Sequence, residues 1–374
     1  MYQALYRKYR PQTFNEVVGQ EHITKTLSNQ VKKGEISHAY LFAGSRGTGK
    51  TSVARIFARA INCMGVENAP CYKCEVCDAL GEANNMDILE IDAASNNKVD
   101  EVREIREKVK FLPTNGKYKV YIIDEVHMLT ESAFNALLKT LEEPPAHVIF
   151  ILGTTEPHKL PQTILSRCLR FDFKLISPAN LKKHLISILD KEKVNYEDDG
   201  VDLIVAAAQG SVRDILSIAD SVVSFGQGVV TYTNALNMLG ATEQDKLFSF
   251  TDAVIAKDIG KCFEEINRAI LGGINISVFS KDVTVHFRNL LVVKTVKNSD
   301  DILNIPPETV SKLREQAERV SEEELMFLMK NFSEIEAELK YALSPRTLVE
   351  VATVKAISGE DGLKKNWKNR RRLI

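Results

Sequence analysis

Gly44-Ser45-Arg46-Gly47-Thr48-Gly49-Lys50-Thr51 fits the pattern G-x-x-x-x-G-K-[ST] at every fixed position. The apolar run Ala39-Tyr40-Leu41-Phe42-Ala43 precedes it and reads as a buried strand, and the eight residues from Ser52 carry apolar side chains at helical spacing. A glycine-rich turn between strand and helix lets backbone N–H groups curl around a phosphate, and the helix start adds its positive end. Lys50 is expected to reach the terminal phosphates of a nucleotide, and the Thr51 hydroxyl to hold Mg²⁺. The alternative is a glycine turn before an ordinary helix, which does not account for strand, loop and helix occurring together.

Outward from this loop, strands alternate with helices. Short apolar blocks at 88–92, 119–123, 148–152 and 169–173 read as strands, and helical spacing is found over 21–33, 99–111 and 132–141. Such alternation indicates an α/β fold, a parallel sheet with helices on both faces. The block at 119–123 ends in Asp124-Glu125, carboxylates at the carboxyl end of a buried strand, where open α/β sheets bind ligands. Asp124 is expected to orient Mg²⁺ through water and Glu125 to polarise an attacking water. After 148–152 come Gly153-Thr154-Thr155-Glu156, where a small hydroxyl at the strand tip suits sensing of a γ-phosphate. Spacing does not separate Thr154 from Thr155, and Thr155 is favoured. The arm before the first helix, with Tyr6-Arg7-Lys8-Tyr9-Arg10-Pro11, is expected to be extended because Pro11 blocks helix continuation, and its basic-aromatic composition suits a solvated tail, a nucleic-acid contact or part of a nucleotide pocket alike. Ala93-Ala94-Ser95-Asn96-Asn97 reads as a loop.

At 374 residues the chain exceeds one ordinary domain, and 44% hydrophobic with 26% charged residues is a soluble globular profile. A net charge of −1 leaves no global electrostatic argument for nucleic acid or membrane binding, so any such contact must be local. No signal core or membrane-length apolar run is present, which suggests the cytoplasm, where disulfides are rare. Four of the six cysteines fall at Cys63, Cys71, Cys74 and Cys77, three of them at C-x₂-C-x₂-C spacing. Four soft ligands closing a small loop suit tetrahedral structural Zn²⁺; an iron–sulfur cluster uses the same spacing but would call for electron-transfer partners that nothing else suggests. Cys168 and Cys262 read as small buried hydrophobes. Ser177-Pro178 opens a helical unit, and Arg213 stands at a helix start within it, able to point at a phosphate or to pair with an acid. Further amphipathic helices follow to about residue 360, and the basic end, 361–374, is expected to be disordered.

Taken together these residues resemble the tau/gamma family of bacterial DNA polymerase III clamp-loader subunits, which are AAA+ ATPases. The resemblance runs through the arm at Arg10-Pro11 and Val17-Val18-Gly19-Gln20-Glu21-His22, the loop from Gly44 to Thr51, and the four cysteines. It continues through Glu90-Ile91-Asp92-Ala93-Ala94-Ser95, Ile123-Asp124-Glu125-Val126-His127-Met128-Leu129 and Glu142-Glu143-Pro144-Pro145, and ends with Ser166-Arg167-Cys168 and Gly210-Ser211-Val212-Arg213-Asp214. It implies an AAA+ domain over 1–176 with a zinc module at 63–77, a helical lid over 177–240 and an all-α oligomerisation collar over 241–360. It implies that Arg10, Pro11 and Val18 border the adenine and ribose of ATP, and that Arg167 is an arginine finger for a neighbouring subunit. Arg213 would be a second sensor, and the four cysteines would be structural zinc ligands.

The implied activity is ATP hydrolysis coupled to loading a sliding clamp onto primed DNA, within a DNA-directed DNA polymerase holoenzyme. The implied partners are other loader subunits in a hetero-pentamer holding several copies of this chain, the clamp, and primer–template DNA touched at its backbone; no membrane is involved. Polymerase and helicase contacts belong to C-terminal domains that this chain stops before, so a short, gamma-like or truncated form is expected. Competing readings are an ATP-binding scaffold or switch with little turnover, and an AAA+ helicase.

Overall fold

The computed structural model describes residues 3–370 except 66–68, 82–84, 96–98, 241, 243, 298, 304 and 306. Asn96 and Asn97 of the expected loop therefore lie outside the described residues. Contacts divide the chain into two compact units, one running to Ala235 and one beginning at Leu236.

In the first unit, strands β1 (Ala39–Gly44), β2 (Ile88–Asp92), β3 (Lys119–Asp124), β4 (Val148–Thr154) and β5 (Leu169–Phe173) make one sheet in the order β2-β3-β4-β1-β5. Every neighbouring pair in it is parallel. The helices are α1 (Leu5–Lys8), α2 (Glu21–Lys33), α3 (Lys50–Asn62), α4 (Glu75–Ala79), α5 (Val99–Lys108), α6 (Glu131–Glu142), α7 (Gln162–Leu165), α8 (Pro178–Glu192), α9 (Asp198–Ala208) and α10 (Val212–Phe225). Successive strand side chains point to opposite faces. Tyr40, Phe42, Val120, Ile122, Ile149 and Ile151 meet α2 and α3 through Ile23, Leu27, Val53 and Phe57. Leu41, Tyr121, Ile123, Phe150 and Leu152 meet α5 and α6 through Ile105, Phe134, Leu137 and Leu141. Burial on both faces is why the central strands read as continuous apolar blocks rather than alternating ones. Register sets Ala43 beside Thr154 and Asp92 beside Asp124, so the polar residues that end β2, β3 and β4 line up along one edge of the sheet.

The turn entering β3 is held by a buried carboxylate. Asp87 is 1% exposed and accepts from the backbone N–H groups of Thr114, Asn115 and Gly116 at 2.7, 2.6 and 2.9 Å. Asp87→Ala leaves those amides without their acceptor and should cost about 3 kcal/mol in urea unfolding. A loss below about 1 kcal/mol would mean that water replaces the carboxylate.

The amino-terminal arm departs from the extended form expected of it. Leu5–Lys8 is a helical turn, and Phe14–Glu16 a second, 3₁₀ turn. Pro11 limits the helix but does not prevent one before it, and Leu5 is drawn into the core of the lid with Leu185, Ile204 and Ile215. Tyr9 Oη donates to Glu192, which also pairs with Lys8 at 2.5 Å. These contacts are one reason the helices of 177–235 fall in the same contact unit as the sheet. The other is a backbone bond: Val212 N–H donates to Gly47 O at 3.0 Å. Ser177 caps α8 by accepting from Asn180 N–H, with Pro178 in the first turn, as the sequence suggested.

Helix α11 (Tyr232–Leu239) spans the division, and the second unit continues with α12 (Gln244–Ile255), α13 (Ile259–Leu271), α14 (Ile276–Thr295), α15 (Asp300–Leu303), α16 (Pro307–Glu318), α17 (Glu322–Leu339) and α18 (Pro345–Arg370). Its core is built on Phe250, Phe279, Phe287 and Phe332, with ring centroids 5.2 to 6.1 Å apart across successive pairs. Cys262 is fully buried among them, which pushes its thiol up to about 12. The basic end expected to be disordered is helical as far as Arg370, because α18 continues through it; residues 371–374 lie outside the described residues.

Candidate functional site

The phosphate loop joins β1 to α3 and bends through Gly44, Gly47 and Gly49, whose φ values are +146°, +74° and +104°. Two of these admit no side chain. A Cβ on Gly44 would stand 2.4 Å from Phe173 O, and one on Gly47 would stand 1.9 Å from Ser211 Oγ. Lys50, at the start of α3, is 6% exposed and donates to Gly44 O and Ser45 O at 2.8 and 2.9 Å. Burial lowers the affinity of its amine for a proton, and the nearby Glu125 and Asp124 carboxylates work against that. Thr51 Oγ1 donates to Asp124 Oδ2 at 2.6 Å. Gly153 leaves room for that carboxylate, since a Cβ there would stand 2.7 Å from Asp124 Oδ1.

Glu125 follows β3 in the left-handed region, at φ +48°, and its carboxylate turns toward β4. Its Oε2 accepts from Thr155 Oγ1 at 3.0 Å and from Thr155 N–H at 3.2 Å. Thr154 is fully buried; its hydroxyl accepts from Glu156 N–H at 3.0 Å and lies 3.1 Å from His127 Nδ1. The two threonines that spacing left together thus have different surroundings.

A cavity of about 400 Å³ opens on this edge of the sheet. The loop from Arg46 to Thr51 walls one side with Asp124 and Glu125; Arg10, Pro11 and Val18 of the arm, and Arg213 at the start of α10, wall the rest. Gly44 and Ser45 lie behind the wall and reach it through the carbonyls that hold Lys50. Arg10 is half-buried, and its proton is held less tightly because of burial first and then the neighbouring Arg55 and Arg213 guanidiniums. Arg10, Arg46, Lys50 and Arg213 around one cavity suit an anion. The arm and lid also bring Tyr6, Tyr9, His184 and Leu216 to the wall; the sequence left a nucleotide pocket as one of three readings for the arm that holds the two tyrosines, and did not select His184 or Leu216. No local pattern marks them, because α1 and α8 meet the cavity only through tertiary packing.

Arg167 does not line this cavity. It donates to Glu142 Oε1 and Thr163 O, both at 2.8 Å, on the surface beside α6 and α7. Cys168 beside it packs against the sheet core, and burial pushes its thiol up to about 11.

Cys63 at the end of α3, Cys71, Cys74 and Cys77 of α4 bring four sulfurs within 4.8 Å of one another, and none is in a disulfide. A tetrahedral thiolate site with Zn–S near 2.3 Å puts its sulfurs about 3.8 Å apart. Cys71 and Cys77 sulfurs already stand 4.0 Å apart. Backbone N–H groups point at the cluster, from Gly65 and Cys71 to Cys63 Sγ and from Cys77 to Cys74 Sγ, each at 3.4 Å. Such bonds favour thiolate; at Cys74, those from Met64 and Cys77 draw the thiol down to about 6. Cys77, 2% exposed, is pushed up to about 12 by burial. This donor set is compatible with zinc.

Three family models match the chain. Residues 19–177 match the one described as DNA polymerase III, delta subunit; 180–228 match the DNA polymerase III clamp loader subunit, ATPase lid domain; 230–371 match DNA polymerase III subunits gamma and tau domain III. The chain is 45% identical over 355 residues to DNA polymerase III subunit tau of Bacillus subtilis, covering 95% of this chain and 63% of that one. It is 41% identical over 360 residues to subunit gamma/tau of Mycobacterium tuberculosis, covering 95% and 62%. It is 39% identical over 303 residues to subunit gamma of Buchnera aphidicola, covering 80% and 82%. The chain thus spans a little under two thirds of the length of the first two relatives. The parallel sheet with its phosphate loop is followed by a helical ATPase lid domain and a C-terminal all-α domain. On its matched relatives and domains, the chain belongs to the tau/gamma family of DNA polymerase III subunits.

Proposed function

We propose that this chain is the motor subunit of a DNA polymerase III clamp loader, an ATPase that opens a ring-shaped sliding clamp and leaves it on primed DNA. The observation that carries the reading is the convergence of Lys50, Thr51, Asp124 and Glu125 on one cavity lined by arginines. Phosphoryl transfer asks little covalent chemistry of a protein, so positioning and charge suffice.

Backbone N–H groups of the loop and the start of α3 bind the phosphates. Lys50 exchanges the carbonyls of Gly44 and Ser45 for phosphate oxygens. Thr51 and Asp124, already joined at 2.6 Å, would hold Mg²⁺, directly and through water. When bound, that ion neutralises charge on the phosphates. Glu125 polarises the attacking water. Thr155 senses the γ-phosphate, a role supported by its hydroxyl lying beside the Glu125 carboxylate while Thr154 is engaged elsewhere. Arg10, Pro11 and Val18 border the base and ribose. Arg213 reports from the lid, whose backbone bond to Gly47 carries phosphate-loop movement into α10.

Arg167, outside its own cavity, acts on the ATP of a neighbouring subunit. Arg167→Ala should leave ATP binding by the isolated chain unchanged and slow hydrolysis in the assembled complex by about 10³-fold, the scale of an arginine finger. Equal loss of binding and hydrolysis would return Arg167 to its own site. The four cysteines hold structural zinc, the second unit forms the oligomerisation collar, and DNA is held at its backbone phosphates, contacts that position without reading sequence. The setting is the cytoplasmic replisome.

The test is ATP hydrolysis by the reconstituted complex with and without clamp and primed DNA. Stimulation by both together supports clamp loading. Hydrolysis indifferent to both, or strand separation by this chain alone, overturns it.

A further inference from the structure

Glu125 is held in a way that the phosphate-loop pattern does not explain. Its partner beyond Thr155 is His127, two residues on, in the 3₁₀ turn Val126–Met128. The His127 side chain is 6% exposed. Its Nδ1 lies 3.5 Å from Glu125 Oε2 and 3.1 Å from Thr154 Oγ1, and its Nε2 lies 3.6 Å from Glu156 Oε1. Nδ1 is hydrogen-bonded to Thr154 Oγ1, and each ring nitrogen has a carboxylate oxygen within 3.6 Å, so the imidazole fills the space between the two glutamates. Glu156 is in turn anchored by Lys159 at 2.7 Å and by its own N–H to Thr154 Oγ1.

The Glu125 carboxylate is therefore held from the end of β4 and the turn after it. Thr155 contacts it directly; Thr154 and Glu156 do so through the imidazole. A threonine hydroxyl donates one proton. If Thr155 turns that proton to a γ-phosphate, Glu125 loses the 3.0 Å bond and keeps the backbone N–H and His127.

We propose that His127 is a positioning residue for hydrolysis: wedged between Glu125 and Glu156, it keeps the Glu125 carboxylate in place when the Thr155 hydroxyl is taken by nucleotide. The inference rests on the ATPase reading of this site. A carboxylate allowed to wander by an ångström loses most of its advantage as a base, while nucleotide contacts made by the loop are untouched.

The experiment compares the wild-type chain with His127→Phe, His127→Asn and Glu156→Gln, measuring kcat and KM for ATP in the reconstituted complex and affinity for a fluorescent ATP analogue. Phenylalanine fills the same space without polar atoms. It should lower kcat by about tenfold or more at unchanged KM and unchanged analogue affinity. Asparagine, which can present an N–H near the Nδ1 position, should recover much of the loss, and Glu156→Gln should give a smaller loss of the same kind. Unchanged kcat in His127→Phe, or a fall in analogue affinity matching the fall in kcat, overturns the positioning role. If His127→Phe does not fold, Glu156→Gln and His127→Asn still decide: wild-type kinetics in the first together with full loss in the second contradict it. A wild-type reconstituted complex that binds the analogue but never hydrolyses ATP would instead remove the ATPase reading itself.

Discussion

Glu125→Gln should bind ATP with the affinity of the unaltered chain and hydrolyse it at least about 10²-fold more slowly, the lower end of what a positioned acid–base group contributes. The substitution keeps size and shape and removes only the negative charge. Phosphate affinity comes from the loop amides, from Lys50 and from the Thr51–Asp124 pair, and with Glu125 neutral the Asp124 carboxylate still supports the Lys50 proton. The carboxylate's own bonds are to Thr155 and not to the loop. Single-turnover hydrolysis beside equilibrium nucleotide binding separates the two effects. An unaffected hydrolysis rate would show that the water is polarised elsewhere, and the chain would then be better described as a nucleotide-binding scaffold.

The second large effect concerns the cysteine cluster. Cys77→Ser, or removal of zinc by a strong chelator, should unfold the segment from Cys63 to Leu80 while the sheet and phosphate loop persist. Structural zinc contributes about 10–16 kcal/mol of apparent binding free energy in small metal-folded modules, and here it would close a loop with little core of its own. Of the four cysteines, Cys77 is the one fully buried. The module is tied to the rest through Tyr72, whose Oη donates to Gln12 O at 2.7 Å and whose ring lies under the Arg59 guanidinium at 5.2 Å. Gln12 adjoins the Arg10-Pro11 pair of the cavity wall, so ATP binding should weaken by a few-fold rather than vanish. Metal analysis, limited proteolysis and nucleotide titration on the same sample check this. A metal-free protein that resists proteolysis at this segment yet fails to hydrolyse ATP would assign the cluster to chemistry instead of structure.

Much of the fold was legible because its signals are local. The phosphate loop is eight consecutive residues whose glycines are required by backbone angles that few other residues tolerate. Central strands announce themselves as apolar blocks, and the start of α8 by Ser177-Pro178. Cysteine spacing alone brought three of four sulfurs into one short loop, and Asp124-Glu125 was marked by its place at a strand end. What spacing could not supply were partners far apart in the chain. Leu5 forms a helical turn because its burial site lies among lid residues some 180 to 210 positions later, a contact no local pattern encodes. Tyr9 meets Glu192, and His184 reaches the cavity, for the same reason.

By itself, then, the sequence determined the phosphate loop, the acidic strand end and the clustering of four cysteines, since each depends on residues close together in the chain. Only the tertiary structure decided the strand order, the separation of Thr154 from Thr155, the distance of Arg167 from its own cavity and the setting of His127 between two carboxylates. Those features depend on which strand ends finish side by side, and that is settled by burying both faces of the sheet rather than by any short stretch of chain.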